Sequence, residues 1–199
     1  INAWLFTGHS TNLSGGWPRP HFSGYHEFTG KTLGVVGFGS IGRVTAQKAL
    51  AFGLKCLAYD PMLSGKSVDV GGAAVPLVTL DALLASSDAV TLHLPLLPET
   101  RGLFSAASLD KMKHGACLIN TARGGIVDEK ALAERLRTGR LGGAALDVFE
   151  KEPATDLSHF AGLSNLIATP HIAGVTSESN DRVSQMIADE VIQFLRNSK

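Results

Sequence analysis

The 199-residue sequence predicts an α/β protein built on one doubly wound parallel sheet, and three observations predict it. Short apolar runs alternate with stretches of helical period along nearly the whole chain, the pattern of strand–helix–strand units. A glycine-rich turn, Gly37-Phe38-Gly39-Ser40-Ile41-Gly42, stands between the first apolar run and the first helical stretch. An acid, Asp60, closes the second apolar run 18 residues after Gly42.

Leu33 to Val36 is apolar and partly β-branched, and it stops at a glycine. From Ile41 onward the spacing changes. Ile41, Val44, Thr45, Lys48 and Ala49 fall at helical intervals, and Ala51-Phe52-Gly53 ends the element with a C-terminal glycine. Gly37 permits the turn, Gly39 lets backbone approach a pyrophosphate with no Cβ in the way, and Gly42 allows close helix–strand packing. The helix N-terminus offers N–H groups and partial positive charge to the phosphates. Lys55-Cys56-Leu57-Ala58-Tyr59 forms the next strand, and Asp60 stands where a Rossmann-type fold places an acid for the adenosine ribose hydroxyls. An acid there favours NAD over NADP. A 2′-phosphate about 4 Å away would meet roughly 4 kcal/mol of repulsion per charge pair at an effective dielectric of about 20.

Residues 1–28 carry six of the 13 aromatics (Trp4, Phe6, Trp17, Phe22, Tyr25, Phe28) among Gly, Pro, Ser and His that oppose a long regular element. The segment is expected as a linker helix and aromatic arm, laid either on its own domain or across a partner subunit. His9, His21 and His26 lack ligand-like companions and are expected at the surface.

Residues 29–199 read as one domain. Pro61 to Gly72 is a polar connection, Ala73-Ala74-Val75 a short strand, and Leu80, Leu83 and Leu84 mark a short helix with Asp81 in its first turn. Asp88 to Leu94 is the next strand. It runs into Pro95 to Arg101, a rigid loop at a strand's carboxyl end, where ligands bind in open α/β sheets. A capped helix follows over Ser105–Met112, then a strand over Ala116–Asn120. A helix over Asp128–Thr138 shows Leu132 and Leu136 on one face and Gly139 after it. Gly142–Val148 and Asn165–Thr169 are two more strands, and Thr176–Arg196 is the last helix, with Val183, Ile187, Val191 and Leu195 at steps of four.

The totals exclude several classes of function. Apolar residues at 44% and charged residues at 18% describe a globular chain with a real core. Eighteen basic and 18 acidic residues cancel, so no basic surface argues for nucleic acid. No apolar run approaches the roughly 20 residues of a membrane span, and the start, Ile1 to Phe6, lacks the basic segment of a signal peptide. Cys56 and Cys117 fall inside predicted strands and are expected as buried thiols, which suits a reducing cytoplasm and no metal site. The missing initiator Met points to part of a longer polypeptide.

Three polar groups after strand ends suit a redox reaction on an acid. Arg123 follows the strand at 116–120, between Ala122 and two glycines, where a planar guanidinium can hold a substrate carboxylate by two parallel hydrogen bonds. His171 follows Asn165 to Pro170, and a histidine is the side chain suited to give a carbonyl its proton as hydride arrives, or to remove it in reverse. Glu150 or Glu152 can orient that imidazole, and spacing does not choose between them. Asp147, ending an otherwise apolar strand, is poorly explained as core and suits a carboxamide NH₂.

Gly30 to Gly42, Tyr59-Asp60-Pro61, His93-Leu94-Pro95-Leu96 with Thr100, Asn120 to Leu132, Ala145 to Pro153 and Thr169 to Gly174 together resemble the cofactor-binding domain of the D-isomer-specific 2-hydroxyacid dehydrogenases. This is the group that contains D-3-phosphoglycerate dehydrogenase. The resemblance implies that Arg123 binds the substrate carboxylate, His171 is the acid/base, and Glu152, immediately before proline, is its partner. It implies NAD contacts from Gly37, Gly39, Ser40, Ile41, Gly42, Asp60, His93, Pro95, Thr100, Thr121, Ala122, Arg123, Asp147, His171 and Gly174. It also implies a small 2-hydroxy or 2-oxo acid as substrate, a cytoplasmic enzyme, and a homodimer to which residues 1–28 contribute. Family members carry a second domain that closes over the nicotinamide, and this sequence has no match to it, so the chain is expected to bind NAD(H) and to turn over poorly by itself. A different class of function on the same fold is an NAD(H)-sensing, corepressor-like interaction protein; no appended low-complexity tail supports it. A relative acting on formate or phosphite is a third reading.

Overall fold

Six strands pair in parallel in the computed structural model: β1 (Thr32–Val36), β2 (Lys55–Tyr59), β5 (Ala89–Leu92), β6 (Cys117–Asn120), β7 (Gly143–Leu146) and β8 (Leu166–Ala168), in the order β2-β1-β5-β6-β7-β8. A separate antiparallel pair, β3 (Ser67–Val70) and β4 (Ala73–Pro76), completes the strands. The helices are α1 (Ala3–Leu13), α2 (Ser40–Ala51), α3 (Leu80–Ser86), α4 (Ala106–Lys111), α5 (Glu129–Arg137) and α6 (Ser177–Asn197), with a 3-10 turn at Ser158–Phe160. The structure describes residues 3–17, 19 and 27–197, the first five of these as backbone alone. The side chains of Trp4 and Phe6, and all of His21, Phe22, Tyr25 and His26, lie outside the described residues.

The expected doubly wound sheet is present, and its reversal falls at β1. The chain steps from β1 outward to β2, then crosses back over β1 to β5 and onward. Right-handed crossovers put α2 on one face and α3, α4 and α5 on the other. The two core layers follow that division. Leu33, Val35, Ala46, Ala49, Cys56 and Ala58 pack together on the α2 side, and Val36, Leu83, Leu109, Leu118, Leu132 and Leu146 on the other. Local chemistry starts the helices where it should: Thr79 caps α3 by accepting from the Ala82 N–H, and Asp128 caps α5 by accepting from the Ala131 N–H.

Two sequence readings change, at residues 61–72 and at Cys117. Residues 61–72 are not a plain connection, because they contain β3, which pairs with β4 away from the main sheet. Residues 1–28 contain a helix, the 11-residue α1. Cys56 is buried, but Cys117 is only half-buried, since its side chain lies on the face of β6 that none of the described helices α3 to α5 covers. The last helix is present as α6, and its apolar stripe is exposed in this chain, from Val183 at 46% to Leu195 at 59%. His9 is exposed as expected.

Close packing makes glycine mandatory at one corner. A Cβ on Gly42 would collide with the carbonyl oxygen of Gly37, while one on Gly39 would meet nothing within 4 Å. Gly42→Ala is therefore expected to cost about 1–3 kcal/mol. That lowers the midpoint of thermal unfolding by roughly 2–4 °C per kcal/mol in a domain of this size. Gly39→Ala should leave the midpoint unchanged, and calorimetric unfolding of the two variants checks both.

Candidate functional site

Parallel pairing sends every strand's carboxyl end to one edge, and the expected site residues follow those ends. Asp60 comes after β2, Gly37 to Ile41 after β1, His93 to Thr100 after β5, Thr121 to Arg123 after β6, Asp147 to Glu152 after β7, and His171 to Gly174 after β8. The strand order reverses between β1 and β5, the place where open α/β sheets take ligands.

The glycine turn suits an anion. Gly37 has a φ of 89°, and a Cβ there would sit 2.5 Å from the His93 carbonyl oxygen, so the turn can only be glycine. No side chain caps the N-terminus of α2, its Ncap residue Gly39 faces open space, and Ser40 and Ile41 are exposed beside it. Uncapped N–H groups at a helix start, with room for phosphate, fit a dinucleotide. Asp60 supports the turn. Its Oδ2 accepts from the Phe38 N–H at 2.8 Å and its Oδ1 from the Met62 N–H at 2.9 Å, so the carboxylate cannot swing away without giving up the turn.

The loop after β5 is shaped from within. The Thr100 hydroxyl donates to the Pro95 carbonyl at 2.7 Å and accepts from the Leu97 N–H at 2.8 Å. His93 is half-buried with Nε2 3.2 Å from the Thr91 hydroxyl, and burial pushes its pKa down, favouring the neutral ring.

The acid/base pair is formed. His171 Nδ1 lies 2.7 Å from Glu152 Oε2, and the other Glu152 oxygen accepts from the Phe149 N–H at 3.0 Å. Geometry thus pairs the imidazole with Glu152 and not with Glu150, whose backbone N–H donates to the Glu129 carboxylate. The hydrogen bond from His171 holds the Glu152 carboxyl below the usual carboxylate range, and that from the Phe149 N–H adds to it. His171 is the one non-glycine residue with positive φ, 56°, among the described residues. Such a conformation costs about 1–3 kcal/mol and persists only where neighbours enforce it.

Asp147 is what enforces it. This residue, 3% exposed, accepts from the Thr169 hydroxyl at 2.6 Å, the Ile172 N–H at 2.9 Å and the Ala173 N–H at 2.8 Å. Its oxygens hold the turn that carries the imidazole, so the expected bond to a carboxamide would have to share a carboxylate already engaged. Arg123 is exposed, and its guanidinium turns back onto the Ala122 carbonyl at 2.6 Å. Thr121 and Gly174 are exposed and Ala122 is half-buried. Sequence reasoning missed Asn120, whose side chain bonds to Ala122 and Arg123, and Gly124, where a Cβ would collide with the Phe149 carbonyl oxygen. The signal for Asn120 was the same as for Asp147: a polar side chain ending an apolar strand. Among the described residues, no group of His, Cys, Asp and Glu is arranged to hold a metal ion, and no helix is long and apolar enough to cross a membrane.

Burial raises the Asp147 pKa, but the three hydrogen bonds and the nearby imidazole outweigh it and hold the carboxyl below its usual range. A depressed carboxylate contributes stability that is complete above its unfolded pKa, about 3.9, and is lost as pH falls through the folded value. Asp147→Asn is expected to be less stable than wild type at pH 6, with the gap in unfolding midpoint narrowing below about pH 4. A thermal-unfolding series against pH for both proteins measures it.

Comparison with known proteins agrees with this geometry. Residues 5–173 match the sequence model of the D-isomer specific 2-hydroxyacid dehydrogenase NAD binding domain. The (S)-sulfolactate dehydrogenase of Chromohalobacter salexigens is 51% identical over 184 residues, 92% of this chain and 59% of that protein. The D-3-phosphoglycerate dehydrogenase of Archaeoglobus fulgidus is 43% identical over 182 residues, 92% of this chain and 34% of that protein. Among solved structures, the NAD-dependent formate dehydrogenase of Staphylococcus aureus in complex with NAD superposes with a TM-score of 0.85 at 33% identity, over 98% of this chain and 58% of that one. The chain therefore spans well under two thirds of the length of these relatives.

Proposed function

The chain belongs to the D-isomer specific 2-hydroxyacid dehydrogenase family as its NAD-binding domain, and from that premise we propose that the full enzyme interconverts a small D-2-hydroxy acid and its 2-oxo acid. NAD, when bound, supplies the hydride acceptor or donor. The observation that carries the reading is the Glu152–His171 pair, held at the same sheet edge as the glycine turn and Arg123. An ionised carboxylate only accepts, so Glu152 fixes the proton on Nδ1 and leaves Nε2 to serve the substrate. In reduction Nε2 gives its proton to the carbonyl oxygen, and in oxidation it takes the proton from the alcohol. The Arg123 guanidinium releases the Ala122 carbonyl and holds the substrate carboxylate through two parallel N–H donors.

The N–H groups at Gly39, Ser40 and Ile41 are assigned to the pyrophosphate and Asp60 to the adenosine ribose. Pro95, Thr100, Thr121, Ala122 and Gly174 are assigned to the nicotinamide half. The proposal includes a boundary between an arm at 1–28 and the cofactor domain at 29–199. It also includes a homodimer and a cytoplasmic setting. Trp17 at 77% exposure and Phe28 at 49% support a covered arm, and the buried Cys56 thiol, which forms no disulfide, supports a reducing compartment.

In the full-length enzyme, assayed with NADH against a panel of 2-oxo acids, Arg123→Ala is expected to raise KM and lower kcat. The combined loss in kcat/KM should be about 10- to 150-fold, the worth of a charged hydrogen bond of about 1.5–3 kcal/mol. His171→Ala should act mainly on kcat, by about 10²- to 10⁴-fold. Wild-type kinetics in either variant overturns the mechanism. The isolated 199 residues should still bind NADH by titration calorimetry while turning over poorly, because the side chains of His171 and Glu152 are 50% and 35% exposed to water.

A further inference from the structure

We propose that Asn120 is a positioning residue that sets the direction of the Arg123 guanidinium, an inference that rests on Arg123 being the carboxylate holder. Asn120 is the last residue of β6, 1% exposed, with its backbone paired between β5 and β7. A polar side chain at such a place needs partners, and those it has are informative. Its Oδ1 accepts from the Ala122 N–H at 3.0 Å, and its Nδ2 donates to the Arg123 carbonyl at 3.0 Å. Neither bond serves the sheet. Both go to the three residues that leave it, closing a side-chain turn around the peptide that carries the guanidinium.

The far side of that turn is fixed separately. Gly124 lies against the Phe149 carbonyl so closely that no Cβ fits, and Gly125 has a φ of 76°. Arg123 therefore leaves the backbone from a segment clamped at both ends, by the amide of Asn120 before it and by a backbone contact after it. The Asp147 N–H also donates to the Asn120 carbonyl at 3.0 Å. The residue that holds the Arg123 turn is thereby bonded to the residue that holds the His171 turn. Two adjacent strand ends carry two buried polar side chains, each folding the loop that bears one reacting group.

The test uses the full-length enzyme with NADH and whichever 2-oxo acid it reduces fastest. Asn120→Thr keeps an oxygen able to accept from the Ala122 N–H but cannot reach the Arg123 carbonyl. It is expected to lower kcat/KM about tenfold, the worth of roughly one hydrogen bond. Most of the loss should fall on KM, with NADH affinity and the unfolding midpoint close to wild type. A residue acting only through Arg123 has nothing left to lose when the guanidinium is gone. Asn120→Thr combined with Arg123→Ala should thus be no worse than Arg123→Ala alone. Unchanged KM in Asn120→Thr, or losses that multiply in the double variant, overturns the proposal. If the threonine variant does not fold, Asn120→Asp, equal in shape and lacking the Nδ2 donor, is judged by the same two criteria. Wild-type kinetics in Arg123→Ala would overturn the parent reading of the guanidinium, and this inference with it.

Discussion

The carboxylate of Glu152 ties the site together. One oxygen takes the Phe149 N–H and the other takes His171 Nδ1, so a single side chain joins the loop after β7 to the loop after β8. The same Phe149 presents its carbonyl to Gly124, one residue from Arg123. The guanidinium turn, the carboxylate loop and the imidazole turn are therefore in contact in series. A change at any of the three is felt by the next, since packed backbone has almost no compliance. Glycine at 124 is a condition of this arrangement, because any side chain there would separate the first loop from the second.

Parallel topology is what makes such a series possible. All six strands of the main sheet end at one edge, so loops far apart in sequence become neighbours in spatial order. Asp60 and the glycine turn fall at one end of that order and His171 at the other, with Arg123 and Glu152 between. A long ligand laid along the edge would pass the glycine turn and Asp60 first and the Glu152–His171 pair last. The half-buried Asp60 and the buried Asp147 each hold a turn at that edge.

What was legible in the sequence was local. Gly37, Gly39 and Gly42 bracket a strand-to-helix change of period, so the turn, its role and the acid after β2 were all readable, as was the alternation that builds the sheet. Choosing Glu152 over Glu150 from the residues alone was out of reach, because two acids two residues apart in an irregular loop differ only in three dimensions. The β3–β4 hairpin carried a signal that went unused. Gly71 and Gly72, with φ of 62° and 88°, form the two-residue connection that such hairpins favour. Ser67 and Asp69 in so short a strand made that segment look like a connection, although Val70 and Val75 join the core on the α2 side. Asn120 was hidden for a different reason. Its bonds run to a backbone N–H and a backbone carbonyl, groups every residue has, so no partner residue type marks it.

Periodicity told less about burial than about pattern. Val183, Ile187, Val191 and Leu195 do form one stripe along α6, but each remains about half exposed in this chain. The proton-transfer pair behaves in a parallel way: the His171 side chain is 50% exposed and that of Glu152 35%. Hydrogen bonds and charges at that exposure act in a dielectric close to water's, where each is worth a small fraction of its value in a closed site. The geometry that orients a proton and a carboxylate is complete in these residues, whereas the exclusion of water that would give it full strength is not a property they possess. Arrangement and desolvation are separate contributions to the strength of a site, and the described residues show the first.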